Sequence, residues 1–157
     1  MFIGRYHAAE LKYEKLFVRL SARSETDELR ASLSADRNEL AQQRRRTAQV
    51  MKSLKVPAKK ELSGVDGALL ENGKDIAGGK RNRGTRGSDV FILGLAKEIT
   101  FLRIARLGTL VAICRELGSE PAAVLLEQSL SECRNTVAYF GQIEQNIIYP
   151  GIGSGNA

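Results

Sequence analysis

Apolar residues return along this chain at alternating intervals of three and four, the rhythm of helices that bury one face. In the first segment Phe2, Tyr6, Ala9, Tyr13, Leu16 and Leu20 form such a seam. The second segment, 26–54, continues the rhythm through Leu29, Leu33, Asp36, Leu40, Gln43, Thr47, Val50 and Leu54. Its middle positions are polar, which a helix that only packs does not need. The third, 89–117, is apolar over a wide face: Phe91, Ile92, Leu95, Ile99, Leu102, Leu110, Ile113 and Leu117. Gly118 ends it, and Ser119 with Pro121 opens the next, a C-cap followed by an N-cap. The fourth, 120–147, carries Ala123, Leu126, Leu130, Cys133, Val137, Phe140 and Ile147. The pattern predicts four helices over 2–22, 26–54, 89–117 and 120–147.

The connections group them. Short turns near Ser24–Thr26 and Gly118 make each adjacent pair an antiparallel hairpin. Between the hairpins, residues 55–88 form a long connection with a short helical stretch near Gly67–Lys74, then the basic, glycine-rich GGKRNRGTRG. A crossover of that length lets the third helix start at either end of the bundle. The expected architecture is an all-α four-helix bundle in a single domain, 1–147, followed by a flexible, turn-rich tail, 148–157.

Composition narrows the class. At 157 residues, 43% hydrophobic and 27% charged, the chain is one domain's worth with a real core. No apolar run approaches the roughly 18 residues of a membrane span, and the first residues lack the pattern of a signal peptide. Cys114 and Cys133 both fall in apolar helical pattern, which suggests free thiols in a reducing, cytoplasmic setting. A single histidine, His7, removes most zinc sites and histidine-based triads. It shares a helical face with Glu10, half of a conceivable metal site, although a lone histidine in the first two turns is more often a surface or partly packed residue. The net charge of +6 collects in Arg44, Arg45 and Arg46 and in Lys80, Arg81, Arg83 and Arg86. Such a basic patch brings nonspecific phosphate affinity, but no aromatic residues interleave with it to stack on bases.

Several stretches resemble a known family. SDVFILGLAKEITFLRI (88–104), ARLGTLVAICRELG after it, and AAVLLEQSLSECRNTV (122–137) are similar to the third and fourth helices of the YciE/YciF type of bacterial ferritin-like protein. Ala9–Leu20 and Asp27–Leu54 match more weakly. The resemblance implies a ferritin-like bundle associated with stress, in which carboxylates and histidines from four helices hold two metal ions. Carried over residue by residue, the family's glutamate on the first helix falls on Glu10. Its H-L-E-E-T pattern on the second falls on Asp36 to Leu40, with Glu39 kept and aspartate at the histidine. On the third helix the two glutamates fall on Thr100 and Arg103, with Phe101 at the histidine; Glu98 stands one position off and reads as an exposed charge. On the fourth, the inward acids fall on Cys133 and Val137, and Glu132 alone remains of the acidic run.

The metal site therefore reads as degenerate. A guanidinium at 103 stays charged at ordinary pH and repels a metal pair, so Arg103 is expected to replace metal in an internal ion pair with Glu10 and Glu39. No cofactor is expected. The leading expectation is a non-enzymatic structural or partner-binding protein that forms a homodimer, through the third helix or the first hairpin, with an unidentified protein partner. In an alternative, Glu10, Asp36, Glu39 and Glu132 hold residual iron or manganese; in a second, the bundle associates with nucleic acid.

Overall fold

The computed structural model describes residues 2–78 and 87–153. Among these residues six α-helices follow one another: α1 (Phe2–Arg23), α2 (Asp27–Ser53), α3 (Gly64–Gly78), α4 (Gly87–Glu116), α5 (Glu120–Ile143) and α6 (Tyr149–Gly153), with a π-helical turn, Glu144–Ile148, joining the last two. Among the described residues there is no strand.

Helix directions follow from the side chains that meet. Along α1 and α2, Glu10 meets Thr47, Glu14 meets Arg44, and Ser21 meets Ser34, so the two run antiparallel. Gln43 meets Glu132 and Glu39 meets Thr136, which sets α2 antiparallel to α5. Arg115 meets Glu127 and Lys97 meets Glu144, closing the second hairpin, α4–α5. Asp89, at the start of α4, accepts hydrogen bonds from the backbone N–H groups of Glu25 and Thr26 at 2.8 and 2.9 Å. The crossover thus starts α4 at the end where α1 turns into α2. This up-down-down-up order requires a connection that travels the length of the bundle.

The crossover is more structured than its composition suggests. The helical stretch expected near 67–74 is a helix of 15 residues, α3. It packs on α1 at Gly73, where an added Cβ would stand 2.5 Å from a Leu16 methyl. Its start is tied down by Ser63, whose Oγ accepts from the Asp66 N–H and donates to the Asp66 carboxylate. Tyr13 donates to that carboxylate from α1, and Arg106 grips it from α4 at 2.7 Å.

Both long-helix ends use left-handed residues. The α4–α5 turn is a Schellman motif: Gly118 has φ +69°, its N–H donates to Arg115 O, and Ser119 N–H donates to Cys114 O. Ser119 occupies the N-cap position, but its side chain makes no capping bond. The end of α2 repeats the motif with Lys55 at φ +55°, a conformation that side chains disfavour.

Two apolar clusters fill the bundle. One holds Tyr13, Leu20, Leu29, Leu33, Ile92, Ile99 and Phe140; the other holds Tyr6, Val50, Leu107, Leu110, Leu126 and Leu130. The wide apolar face of α4 exceeds one core, as its breadth requires: Leu95 and Val111 are buried, whereas Phe91, Ile113 and Leu117 are exposed, because a helix carries only one inward stripe. Two expectations are corrected. Phe2 lies outside its seam. The tail is not wholly irregular, since helix continues through Gly153 and Ile148 is buried in the first cluster. Residues 154–157 lie outside the described residues.

Candidate functional site

Between the two apolar clusters lies a polar layer supplied by all four long helices. The periodicity that buries Tyr6 and Tyr13 on α1 also buries Glu10 between them, one turn from each. On α2 it buries Gln43 and Thr47, on α4 Thr100 and Arg103, and on α5 Ser129 and Cys133.

Arg103 stands at the centre with only 3% of its surface exposed. One terminal nitrogen donates to Glu10 Oε1 at 3.1 Å and to the Tyr6 hydroxyl at 3.1 Å; the other approaches Cys133 Sγ at 3.5 Å. Its guanidinium also lies 5.7 Å from the centre of the Tyr6 ring, within cation–π range. Burial works against the charge, but the negative ends of Tyr6, Cys133 and Glu10 more than offset it and hold the arginine protonated. Glu10 Oε1 accepts a second hydrogen bond from Thr47 at 3.2 Å. Burial nonetheless lifts the Glu10 carboxyl to about 7, the guanidinium pulling the other way.

A chain of polar contacts continues toward the surface. Cys133 Sγ donates to Gln43 Oε1, and Gln43 Nε2 donates to Glu132 Oε2 at 3.0 Å. Arg46 clasps both oxygens of Glu132 at 2.7 and 2.8 Å. Burial works to raise the Glu132 carboxyl, but the hydrogen bonds from Arg46 and Gln43 win and hold it below its ordinary value.

Asp36 and Glu39 stand apart from this chain. The expectation that Arg103 bonds Glu39 is corrected: Glu39 accepts its hydrogen bond from Thr136 at 3.0 Å, because α2 turns it toward α5. Asp36, Glu39, Thr100 and Arg103 border a cavity of about 10 Å³, the room of a single water. Asp36 Oδ2 and Arg103 Nε are buried without a hydrogen-bond partner. Burial and the neighbouring Glu39 charge push the Asp36 carboxyl up to about 7.

The four candidate ligands Glu10, Asp36, Glu39 and Glu132 are thus divided among three environments. Among the described residues, no three His, Cys, Asp or Glu side chains gather closely enough to hold a metal ion. His7 is half-buried, and burial and then the charge of Arg44 hold its pKa below the ordinary value. Cys114 and Cys133 are free and buried. The arginine triplet is not one basic face: Arg44 pairs with Glu14 and Arg46 with Glu132, leaving Arg45 exposed. Lys80, Arg81, Arg83 and Arg86 lie outside the described residues. Sequence reasoning missed Tyr13, Asp66 and Arg106, although Ser63 three residues before Asp66 is a helix-start signal. It missed Asp89 as well, whose partners are backbone groups far along the chain.

Antiparallel hairpins, a lengthwise crossover and a mid-height polar layer are the features of a ferritin-like helical bundle. The chain belongs to the family described as a domain of unknown function, DUF892, which matches residues 3–149. This is the YciF-type family. The structure is similar to that of the Escherichia coli stress protein YciF, with a TM-score of 0.85 at 20% identity, covering 97% of this chain and 92% of that one. It also resembles YcfI of Rhodopseudomonas palustris, with a TM-score of 0.80 at 22% identity, over 89% and 88% of the two chains. No curated protein is similar enough in sequence to count as a relative. No helix among the described residues is long and apolar enough to cross a membrane.

Proposed function

We propose that this chain is a non-enzymatic structural or partner-binding bundle of the YciF type whose metal centre has degenerated, with Arg103 in place of the metal. One observation carries the reading: a buried guanidinium occupies the middle of the bundle and bonds the carboxylate of Glu10. The remaining donors do not fit a metal pair. Glu10 holds Arg103 and Thr47 through Oε1, its Oε2 being buried without a hydrogen-bond partner, and Glu132 is committed to Arg46 and Gln43. Asp36 and Glu39 share their small cavity with the fixed positive charge of Arg103, which opposes any cation there. The bundle works in a reducing compartment, in a stress-related role like that of its E. coli neighbour, and needs no cofactor. Its partner includes a second copy of itself, since Phe91, Phe101, Ile113 and Leu117 leave apolar surface uncovered along α4.

A second reading, residual iron or manganese binding, rests on the unpartnered Asp36 Oδ2 beside Glu39. Calorimetric titration with iron(II) and manganese(II), together with thermal melts with and without a strong chelator, separates the two. The arginine-centred reading expects no stoichiometric metal binding and coincident melts. A melting midpoint lowered by more than a few degrees in chelator overturns it in favour of the metal. Nucleic-acid association is weakened by the pairing of Arg44 and Arg46 with acids. Salt-dependent retention on DNA tests it.

A further inference from the structure

A cavity much larger than that of the bundle centre lies between α1 and α3 and measures about 240 Å³. Its wall and floor are Leu16, Leu62 and Leu70. Its rim carries Lys12, Lys15 and Arg19, spaced by three and four along α1 so that all stand on one face. These three cations are exposed and have no acidic partner among the described residues. The single carboxylate of the rim, Glu71, is already paired with Lys74 at 2.8 Å. Gly67 borders the same space, and no atom lies within 4 Å of where its Cβ would stand.

We infer that this groove binds a small amphipathic carboxylate, of the size of a medium-chain fatty acid, with its tail on the leucines and its head among Lys12, Lys15 and Arg19. Three features select that occupant. The leucines provide apolar surface that gains by being covered. Unpaired cations at one edge favour an anionic head over a neutral or cationic one. A volume of about 240 Å³ lies below the roughly 300–1,000 Å³ of drug-sized sites, which suits a short tail better than a long one. The groove persists because Gly73 lets α3 approach α1 closely while Gly67, which borders it, carries no side chain to fill it.

Octanoate is the probe, titrated into the full-length protein by calorimetry and by amide chemical-shift mapping, with octanol and octyltrimethylammonium as controls. Octanoate should bind with a dissociation constant below about 1 mM, at least tenfold tighter than octanol, and weaken with added salt. The shifted amides should map to α1 and α3. Gly67→Leu fills the groove and should abolish binding while leaving the melting temperature unchanged or raised. Lys15→Gln with Arg19→Gln should weaken octanoate tenfold or more and leave octanol unaffected. Equal affinity for octanoate and octanol, shifts confined to other helices, or octanoate binding that survives in folded Gly67→Leu overturns the proposal. So does octanoate binding that vanishes as the protein is concentrated, which would assign the groove to a second copy of the chain.

Discussion

Glu10, bonded to Arg103, and Asp36, which borders a cavity with it, carry raised pKa values, both near 7, against ordinary values of 4.5 and 3.8. For Glu10 the cause is burial, opposed by the guanidinium; for Asp36 it is burial reinforced by Glu39. In this window the folded protein holds protons that the unfolded chain has released. The stability these neutral carboxyls contribute is full below their ordinary values and is lost as pH rises through about 7. Glu132 and Asp66 act in the opposite sense: burial opposes their charge but hydrogen bonds hold their values low, so their contribution is lost only in acid. Stability should therefore peak near pH 5 and fall by roughly 2–5 kcal/mol by pH 8, measured by urea unfolding. Asp36→Asn, which keeps the shape without the charge, should remove about half of that slope and stabilise the protein at pH 8 by roughly 1–3 kcal/mol. A pH-independent stability between 5 and 8 would contradict both assignments.

Elements were largely legible before the fold. The three-four rhythm placed all four long helices, and the Gly118 turn was recognisable because a left-handed C-cap is local chemistry. The start of α2 was not legible in the same way. Thr26 makes no side-chain cap; its N–H and that of Glu25 are satisfied by Asp89, 63 and 64 residues away. This carboxylate joins the first hairpin to the first residues of α4, so one side chain fixes both a helix end and the bundle's topology. Asp89→Ala should cost roughly 2–4 kcal/mol, since it strands two N–H groups beside a fully buried position. Asp89→Asn, which keeps one acceptor, should recover part of it. Hydrogen exchange at Glu25 and Thr26 should accelerate before the rest of α1 and α2. Unchanged exchange at those two amides would show that the cap is replaceable by water.

At the scale of the whole molecule, the polar layer interrupts an otherwise apolar core and ties α1, α4 and α5 together through one guanidinium. Arg103→Ala should destabilise the fold by roughly 3–5 kcal/mol at neutral pH, the range for removing one partner of a buried pair. The loss should shrink near pH 5, because Glu10, raised to about 7, already carries a proton there in the parent and little ion pairing is left to lose. A simple cavity gives a loss independent of pH, so the pH dependence separates lost pairing from lost packing. An Arg103→Ala protein as stable as the parent would remove the counter-charge proposal.

What the sequence determined by itself was local: helix periodicity, the two tight turns, and most of the residues that each long helix turns inward. These depend on spacings of three and four and on the conformational freedom of one glycine, both present in any short stretch of chain. The tertiary structure decided the pairings. Whether Arg46 faces solvent or Glu132, and whether Glu39 meets Arg103 or Thr136, depends on how each helix is rotated and offset against its neighbours. One residue along a helix turns a side chain by about 100°, so a small change in packing reassigns a long charged side chain entirely. The same reason hid Tyr13, Asp66 and Arg106, and the groove beneath Lys12, Lys15 and Arg19: each exists only because α3 lies down against α1.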